Sequence, residues 1–206
     1  MSIRAVYFDL GGVILRTDDK APRTELAKSL GMTYEAIEQV VHGGGPDGSA
    51  AQAALGRITE EEHWLNVVRA LNLPEGEIAR VENAYFAGDR IDWVLVDFLR
   101  SLRALRAKIK VGLISNAWSG LRLWIVSQKF EDAFDDMTIS AELGLAKPDE
   151  RIYYHALQKL GVHPDQAVFC DDMPVNVASA KAIGMHGIFF KKSGTAIAEI
   201  TRLLAA

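Results

Sequence analysis

Short apolar runs that end in polar residues recur along the chain. The clearest runs cover residues 3–10, 110–115, 136–140, 167–171 and 187–191. Runs of this length, rich in β-branched and aromatic residues and bounded by Gly or polar clusters, are typical of strands buried on both faces of a parallel sheet. The pattern therefore predicts a sheet of five strands.

Helical patterns lie between the later strands. Residues 93–108 repeat apolar side chains at the helical period, with arginines on the opposite face. Residues 151–160 and 174–183 are further helical stretches, and each is followed by a glycine, which commonly ends a helix. Strands that alternate with helices imply right-handed crossovers, which produce a doubly wound parallel sheet. The predicted fold class is therefore α/β.

Residues 16–92 depart from this alternation. They show no strand pattern, and helical stretches follow one another at residues 22–30, 34–41, 59–71 and 75–86. Thr59 and Glu62 have the spacing of a capping box, which places a helix start at Thr59. We predict an all-helical cap domain of residues 16–92, inserted after the first strand of an α/β core that comprises residues 1–15 and 93–206.

A glycine-rich segment, residues 43–49, interrupts the helices of this insert. Its composition is too flexible for a core position. We interpret it as a mobile linker between helices, which could also reach over a neighbouring site.

Charge and composition exclude several classes of protein. The chain has 27 acidic against 23 basic residues and no basic block, which argues against a nucleic-acid partner. No uninterrupted apolar run approaches the length of a membrane span, so we expect no membrane partner. The single cysteine, Cys170, excludes an internal disulfide and suits a reducing compartment, with the cytoplasm as the default location. Either a monomer or a homodimer is compatible with the sequence.

Polar residues end three of the predicted strands. Asp9 lies at the end of the first strand, Ser115 and Asn116 at the end of the second, and Asp171 and Asp172 at the end of the fourth. The carboxyl ends of parallel strands meet at one edge of a sheet, where ligands bind in doubly wound folds. We therefore expect these side chains to lie together.

These side chains, with Lys147, suit phosphoryl transfer. Asp9 can attack phosphorus, the Ser115 hydroxyl can donate to the transferred oxygens, and Lys147 supplies a positive charge. A carboxylate repels a phosphate, so a divalent cation is needed, and Mg²⁺ takes one or two carboxylates such as Asp9 and Asp172. Adjacent strand residues point to opposite faces, so we expect Asp172 to be the direct ligand and Asp171 to lie behind it.

With these motifs in this order, the chain resembles the haloacid dehalogenase-like (HAD) hydrolase superfamily. The motifs are F-D-L-G-G-V at residues 8–13, S-N at 115–116, K-P at 147–148 and F-C-D-D-M-P-V-N-V at 169–177. More narrowly, the chain is similar to the branch that holds sugar-phosphate phosphatases and the N-terminal phosphatase domain of soluble epoxide hydrolases.

The resemblance implies a Rossmann-like core with a small helical cap, Mg²⁺ as cofactor, and hydrolysis of a small phosphorylated metabolite, with sugar phosphates among the candidates, through an aspartyl-phosphate. It also implies roles for particular residues: a nucleophile at Asp9, phosphate contacts at Ser115, Asn116 and Lys147, and metal ligands at Asp172, with Asp171 beside it, and at the backbone carbonyl of Gly11.

Gly11 is a departure from the family pattern. Most phosphatases of the superfamily carry at this position an Asp that acts as general acid and base. Without it, we expect a preference for substrates whose leaving oxygen needs little proton assistance, unless His42 or a water molecule supplies the proton. Trp118, two residues beyond Asn116, either lines the substrate pocket or packs in the core or at the rim.

Two alternative functions stay open. The first is a haloacid dehalogenase-type hydrolase, which uses the same Asp attack on carbon and which the pair Asp171 and Asp172 disfavours. The second is a catalytically weak or inactive protein that binds a phosphorylated ligand or a partner protein. The second is disfavoured because a protein that only binds needs no nucleophile such as Asp9.

Overall fold

A computed structural model of the chain describes residues 2–105 and 109–205. The strands, in chain order, are β1 (Ala5–Phe8), β2 (Leu15–Thr17), β3 (Asp89–Ile91), β4 (Lys110–Ser115), β5 (Asp136–Ile139), β6 (Ala167–Asp171) and β7 (His186–Phe189). For β4 and β6, the first and last residues are those that the sequence predicted. The outer strands β5 and β7 and the first strand β1 are shorter or shifted by a few residues.

The helices follow the predicted alternation with the strands. They are α1 (Ala21–Ser29), α2 (Tyr34–His42), α3 (Ser49–Ala54), α4 (Glu60–Ala70), α5 (Ile78–Phe86), α6 (Trp93–Leu105), α7 (Leu121–Ser127), α8 (Ser140–Leu143), α9 (Glu150–Leu160), α10 (Pro174–Ala182) and α11 (Ser193–Ala205). The last three residues of the helix predicted at 93–108 lie outside the described residues. Within those residues, every helix is too short or too polar to cross a bilayer.

Five strands form one parallel sheet in the order β5-β4-β1-β6-β7. Phe8 in β1 pairs with Leu113 on one side and with Cys170 on the other. The strand order runs outward from β1 in both directions, which creates a topological switch point between β1 and β6. The predicted α/β class, with a doubly wound parallel sheet, is confirmed.

The central strands are buried on both faces. Val6 and Phe8 of β1 face an apolar cluster that includes α6 and α11, whereas Ala5 and Tyr7 face a second cluster that includes α9. Successive strand residues point to opposite faces, so a strand covered by helices on both sides must be apolar throughout. This burial is the reason that β1, β4 and β6 were visible in the sequence as continuous apolar runs.

Residues 16–92, called the helical insert below, surround a third apolar cluster. Its buried members include Trp64, Val68 and Tyr85. The predicted capping box is present at the start of α4, where Thr59 Oγ1 accepts from Glu62 N at 3.1 Å and Glu62 Oε2 accepts from Thr59 N at 2.7 Å. Both bonds satisfy N–H groups that the first turn leaves free, which fixes the helix start.

The prediction that the helical insert contains no strand is wrong. β2 and β3 pair antiparallel at the two ends of the insert, with Arg16 opposite Arg90. Each strand has three residues and is only partly buried. A strand of that length is too short to show a period of two, which explains why the sequence pattern did not indicate it.

The glycine-rich segment, residues 43–49, connects two helices, α2 and α3, and its predicted mobility stays a prediction. The segment contains a 3₁₀ turn at Gly45–Asp47, and Ser49 begins α3. The helix α3 has the sequence S-A-A-Q-A-A. Small side chains give no amphipathic stripe, so the helical period was absent from this part of the sequence.

Candidate active site

Three carboxylates meet at the switch point of the sheet. Asp9 follows β1, and its backbone N–H donates to the Cys170 carbonyl of β6 at 3.0 Å. Asp171 ends β6, and Asp172 follows it. One carboxylate oxygen from each of the three residues lies within 4.8 Å of the other two. Like charges at this spacing repel unless cations stabilise them.

Lys147 supplies one such cation. Its Nζ lies 2.9 Å from Asp9 Oδ2 and 2.7 Å from Asp171 Oδ2, and it donates to the Ile114 carbonyl at 2.9 Å. An ammonium has three N–H groups, so all of them are used. The side chain is also fully buried. The structure therefore places Lys147 as the cation that stabilises two carboxylates, and its predicted contact with phosphate stays a prediction.

Asp171 is held by the protein on every side. Its Oδ1 accepts from Met173 N at 2.7 Å, and Asn176 Nδ2 lies 3.1 Å from both of its oxygens. Together with Lys147, these groups donate hydrogen bonds to both carboxylate oxygens of Asp171. Asp171 is therefore bound by protein donors, and its predicted position behind a metal ligand stays a prediction. The sequence analysis missed Asn176, for which the only signal was its position in the first turn of a helix that follows two acids.

Asp172 differs from the other two carboxylates in its surroundings. Within residues 2–105 and 109–205, no Lys or Arg lies within ion-pair distance of it, and burial, with Asp171 nearby, raises its pKa. Its side chain lies against Gly12, which has φ +74°, and a Cβ at Gly12 would be 2.2 Å from Asp172 Oδ2. Glycine is therefore needed at position 12 both for the turn and for the approach of the carboxylate.

A divalent cation fits this arrangement. In the part of the chain that is described, no N–H donates to the Gly11 carbonyl. A free carbonyl oxygen and a carboxylate without an ion pair are hard oxygen ligands, which Mg²⁺ and Ca²⁺ prefer. Three carboxylates against one lysine also leave a surplus of negative charge. Asp9, Asp172 and Gly11 are the residues that could hold the ion.

The environment of Asp9 is nearly closed to solvent. Burial, aided by the charge of Asp171, raises the pKa of Asp9 to about 6, whereas Lys147 acts in the opposite direction. The Leu10 N–H donates to Asp9 Oδ1 at 2.7 Å and also favours the charged form. Any further cation at this edge would favour the ionised carboxylate, which is the form that acts as a nucleophile.

Ser115 and Asn116 have different surroundings. The hydroxyl of the buried Ser115 has no hydrogen-bond partner among the described residues, so it is available to an incoming oxygen. Asn116 instead binds the Lys147 backbone, because its Oδ1 accepts from Lys147 N at 2.8 Å and its Nδ2 donates to Lys147 O at 2.9 Å. Its carboxamide therefore positions the lysine, and its predicted phosphate contact stays a prediction.

The helical insert contacts the core through the loop that follows β4. Trp118 Nε1 donates to the Ala50 carbonyl at 3.3 Å, and Gly120 N donates to Glu60 Oε2 at 3.1 Å. The rings of Trp118 and His42 are 5.8 Å apart and nearly parallel. Trp118 therefore packs against the insert and is only partly buried.

A comparison with protein families identifies the family of the chain. Residues 3–184 match the family model of haloacid dehalogenase-like hydrolases. The chain belongs to the haloacid dehalogenase-like hydrolase family, as the order of its motifs predicted.

Individual relatives are similar over almost the whole chain. Bifunctional epoxide hydrolase 2 of Sus scrofa is 25% identical over 224 residues, which are 98% of this chain but only 39% of that protein. Phosphatase MT3486 of Mycobacterium tuberculosis is 27% identical over 213 residues, which are 100% of this chain and 95% of that protein. The HAD family enzyme bt-2542 of Bacteroides thetaiotaomicron, in complex with magnesium and inorganic phosphate, has a TM-score of 0.75 and 26% identity over 92% of this chain and 95% of that chain. The chain is thus a HAD-like hydrolase with phosphatases among its relatives.

Proposed function

We propose that the chain is a Mg²⁺-dependent phosphatase that hydrolyses a small phosphorylated metabolite through an aspartyl-phosphate formed on Asp9. The observation that carries the proposal is the ion pair of Lys147 with Asp9 and Asp171, next to Asp172, which forms no ion pair with a Lys or Arg of the described residues. The phosphatase MT3486 supports the reaction class. The complex of bt-2542 with magnesium and inorganic phosphate supports the cofactor.

Asp9 is the nucleophile in this proposal. One carboxylate oxygen forms a bond to phosphorus while the bond from phosphorus to the leaving oxygen breaks, and a water molecule then hydrolyses the acyl phosphate and releases inorganic phosphate. Lys147 keeps a positive charge beside Asp9, because Asp171 and Ile114 hold its ammonium in place. A fixed charge needs little reorganisation when the reaction proceeds.

The remaining groups bind the metal and the phosphoryl group. Asp9, Asp172 and the Gly11 carbonyl hold Mg²⁺, which supplies positive charge where a carboxylate meets a phosphate. Ser115 donates its hydroxyl to the transferred oxygens. Lys147 is the basic residue that contacts the phosphoryl group, and Asn116 positions it by binding its backbone.

We further propose that residues 16–92 are a cap domain and that residues 1–15 and 93–206 are the catalytic core. The separate apolar cluster of the insert and its entry directly after the site support this division. The buried thiol of Cys170 is suited to a reducing compartment, and we propose the cytoplasm.

The test is a measurement of phosphate release. The purified chain is incubated with sugar, acyl, aryl and nucleotide phosphates, with and without Mg²⁺, and is compared with Asp9→Asn. The control is Asp97→Asn, which changes an exposed carboxylate on α6. We expect release that requires Mg²⁺, survives in the control and is lost in Asp9→Asn. Absence of release from every substrate, with the protein folded, would contradict the proposal.

Gly11 favours a second candidate function, a catalytically weak or inactive protein that binds a phosphorylated ligand. The resemblance implies a general acid at this position in most phosphatases of the superfamily, and glycine has no side chain to act as one, which removes one source of rate enhancement. Calorimetry with inorganic phosphate and Mg²⁺ distinguishes the candidates. Binding without turnover of any phosphate ester would establish the second candidate.

A further inference from the structure

We propose that Trp118 and His42 form the surface against which the leaving group of the substrate stacks, so that the enzyme prefers phosphate esters of planar, weakly basic alcohols such as phenols. This proposal rests on the phosphatase function proposed above. It extends that function from the phosphoryl group to the rest of the substrate.

The direction of the leaving group follows from the geometry of phosphoryl transfer. The attacking oxygen and the leaving oxygen lie on opposite sides of phosphorus. Asp9 approaches from the carboxyl edge of the sheet, so the leaving group points away from the sheet. The polypeptide on that side is the helical insert, which begins a few residues after Asp9 and contacts the loop after β4.

Trp118 connects that insert to the phosphate side of the site. It lies two residues beyond Asn116, so the two Cα atoms are at most about 7 Å apart. Asn116 in turn binds the Lys147 backbone through both ends of its carboxamide. The Ala117 N–H donates to Ser140 Oγ at 3.0 Å, which fixes the loop from its other side. The position of the Trp118 ring is therefore set relative to Lys147.

Several rings of the insert surround Trp118. Its ring centroid lies 4.3 Å from that of His63, 5.8 Å from those of His42 and Trp64, and 6.5 Å from that of Phe86. We call these five residues the aromatic cluster. Among the described members of the third apolar cluster, Trp118 alone comes from outside the insert. The angle between the plane of Trp118 and the planes of these rings ranges from 25° for His42 to 90° for Trp64, so Trp118 lies in an aromatic surrounding in which His42 is the ring nearly parallel to it.

The aromatic cluster is not a closed packing core. Trp118 is only partly buried, and His42 is exposed at the end of α2. Behind them, His63 Nε2 and Trp64 Nε1 are buried and have no hydrogen-bond partner in the described part of the chain. Buried polar atoms without partners lower stability, so apolar residues would serve packing better. Trp118 and His42 thus keep exposed area that a second flat group could contact.

The charge of the cluster favours an uncharged ring. Burial, aided by the nearby His42, lowers the pKa of His63 to about 4, so His63 is neutral at neutral pH. A polyanionic leaving group would gain nothing from this surface, whereas an aromatic ring would gain offset or edge-to-face contacts. Gly11 points to the same class of substrate, because a phenolate is a weak base and leaves with little proton assistance.

Two probes with weakly basic leaving groups separate stacking from chemistry. 4-Nitrophenyl phosphate has a ring, and acetyl phosphate has none. We expect Trp118→Leu to lower kcat/KM for 4-nitrophenyl phosphate about tenfold, mainly through KM, and to leave the value for acetyl phosphate within about twofold. Trp118→Phe should retain most of the preference, since it keeps a ring. The control is Trp93→Leu, which removes a partly exposed ring from α6.

Equal losses with both probes would show that Trp118 only holds the insert in place, and would overturn the proposal. An unchanged rate with 4-nitrophenyl phosphate would also overturn it.

A binding measurement does not depend on turnover. Calorimetry in the presence of Mg²⁺ compares the affinity for phenylphosphonate with that for methylphosphonate. We expect the phenyl compound to bind about tenfold more tightly to the wild type and the ratio to approach one in Trp118→Leu. Equal affinities in the wild type would overturn the proposal, and absence of phosphate release from any ester would count against the phosphatase function alone.

Discussion

Asn176 Nδ2 lies 3.1 Å from each carboxylate oxygen of Asp171, and both side chains are buried. This contact joins the first turn of α10 to the end of β6. Because Asp171 also holds Lys147, the amide of Asn176 acts on the lysine through the carboxylate. A helix that packs beneath the sheet edge thereby takes part in positioning the cation beside Asp9.

Replacement of Asn176 tests this relationship. In Asn176→Ala a buried carboxylate loses a donor, and we expect the free energy of unfolding to fall by about 1–3 kcal/mol. The fall is measured by urea denaturation. Asn66→Ala, which changes an exposed Asn on α4, is the matched control. Its free energy of unfolding should fall by less than about 0.5 kcal/mol. Equal effects of the two substitutions would show that the contact contributes nothing specific.

Metal binding is expected to be visible in the stability of the folded protein. A ligand that binds only the native state at a hundred times its Kd raises the free energy of unfolding by about 2.7 kcal/mol. We therefore expect Mg²⁺ to raise the Tm of the wild type and of Asp97→Asn but not that of Asp172→Asn. A Tm of Asp172→Asn that still rises with Mg²⁺ would remove this residue from the proposed ligands.

Two neighbouring glycines should respond differently to the same substitution. At Gly12 the backbone has φ +74° and a Cβ would meet the Asp172 carboxylate, whereas at Gly11 nothing lies within 4 Å of the added atom. Gly12→Ala should lower the free energy of unfolding by about 1–2 kcal/mol for the backbone conformation alone and weaken the response to Mg²⁺. Gly11→Ala should change stability little. The expectation is wrong if both variants unfold at the same urea concentration.

The stability of the helical insert should depend on pH through His63. Burial and the nearby His42 lower its pKa from 6.5 to about 4, so between these values the unfolded chain binds a proton that the folded chain does not. Stability is therefore complete above pH 6.5 and decreases as the pH falls toward 4, by up to about 3 kcal/mol.

Urea denaturation of wild type and His63→Phe between pH 4 and pH 7 provides the measurement. Other titrating groups contribute to both proteins, so the difference between the two curves isolates His63. We expect that difference to change steadily across the window. A constant difference would show that His63 is not held in its neutral form.

The sequence predicted the parts of the fold that follow from burial. The strands β4 and β6 were found with their observed ends because each has a continuous apolar run that a polar residue ends, and the capping box of Thr59 and Glu62 needs only local spacing. The short pair β2 and β3 and the alanine-rich α3 have no such pattern. Their conformations depend on contacts with distant residues, which local periodicity cannot reveal.

In the candidate site, too, the sequence predicted some features, whereas others depend on contacts between distant residues. The sequence placed Asp9, Ser115 and the pair Asp171 and Asp172 at one edge, because strand ends of a parallel sheet coincide. It did not reveal that Asn116 holds the Lys147 backbone or that Asn176 holds Asp171. An Asn in a loop or a first helical turn has many ordinary roles. Only the packing of the elements selects these partners.

The pairing of β2 with β3 has a consequence for how such an enzyme can diversify. The chain leaves the core and returns to it at adjacent points, and the Asp19 N–H donates to the Gly88 carbonyl just inside the pair. When the ends of a segment already lie together, a longer segment costs the fold little additional free energy, because the closure entropy of a loop grows only slowly with its length. Natural selection can therefore exchange or enlarge the segment while the strands that carry the carboxylates stay unchanged.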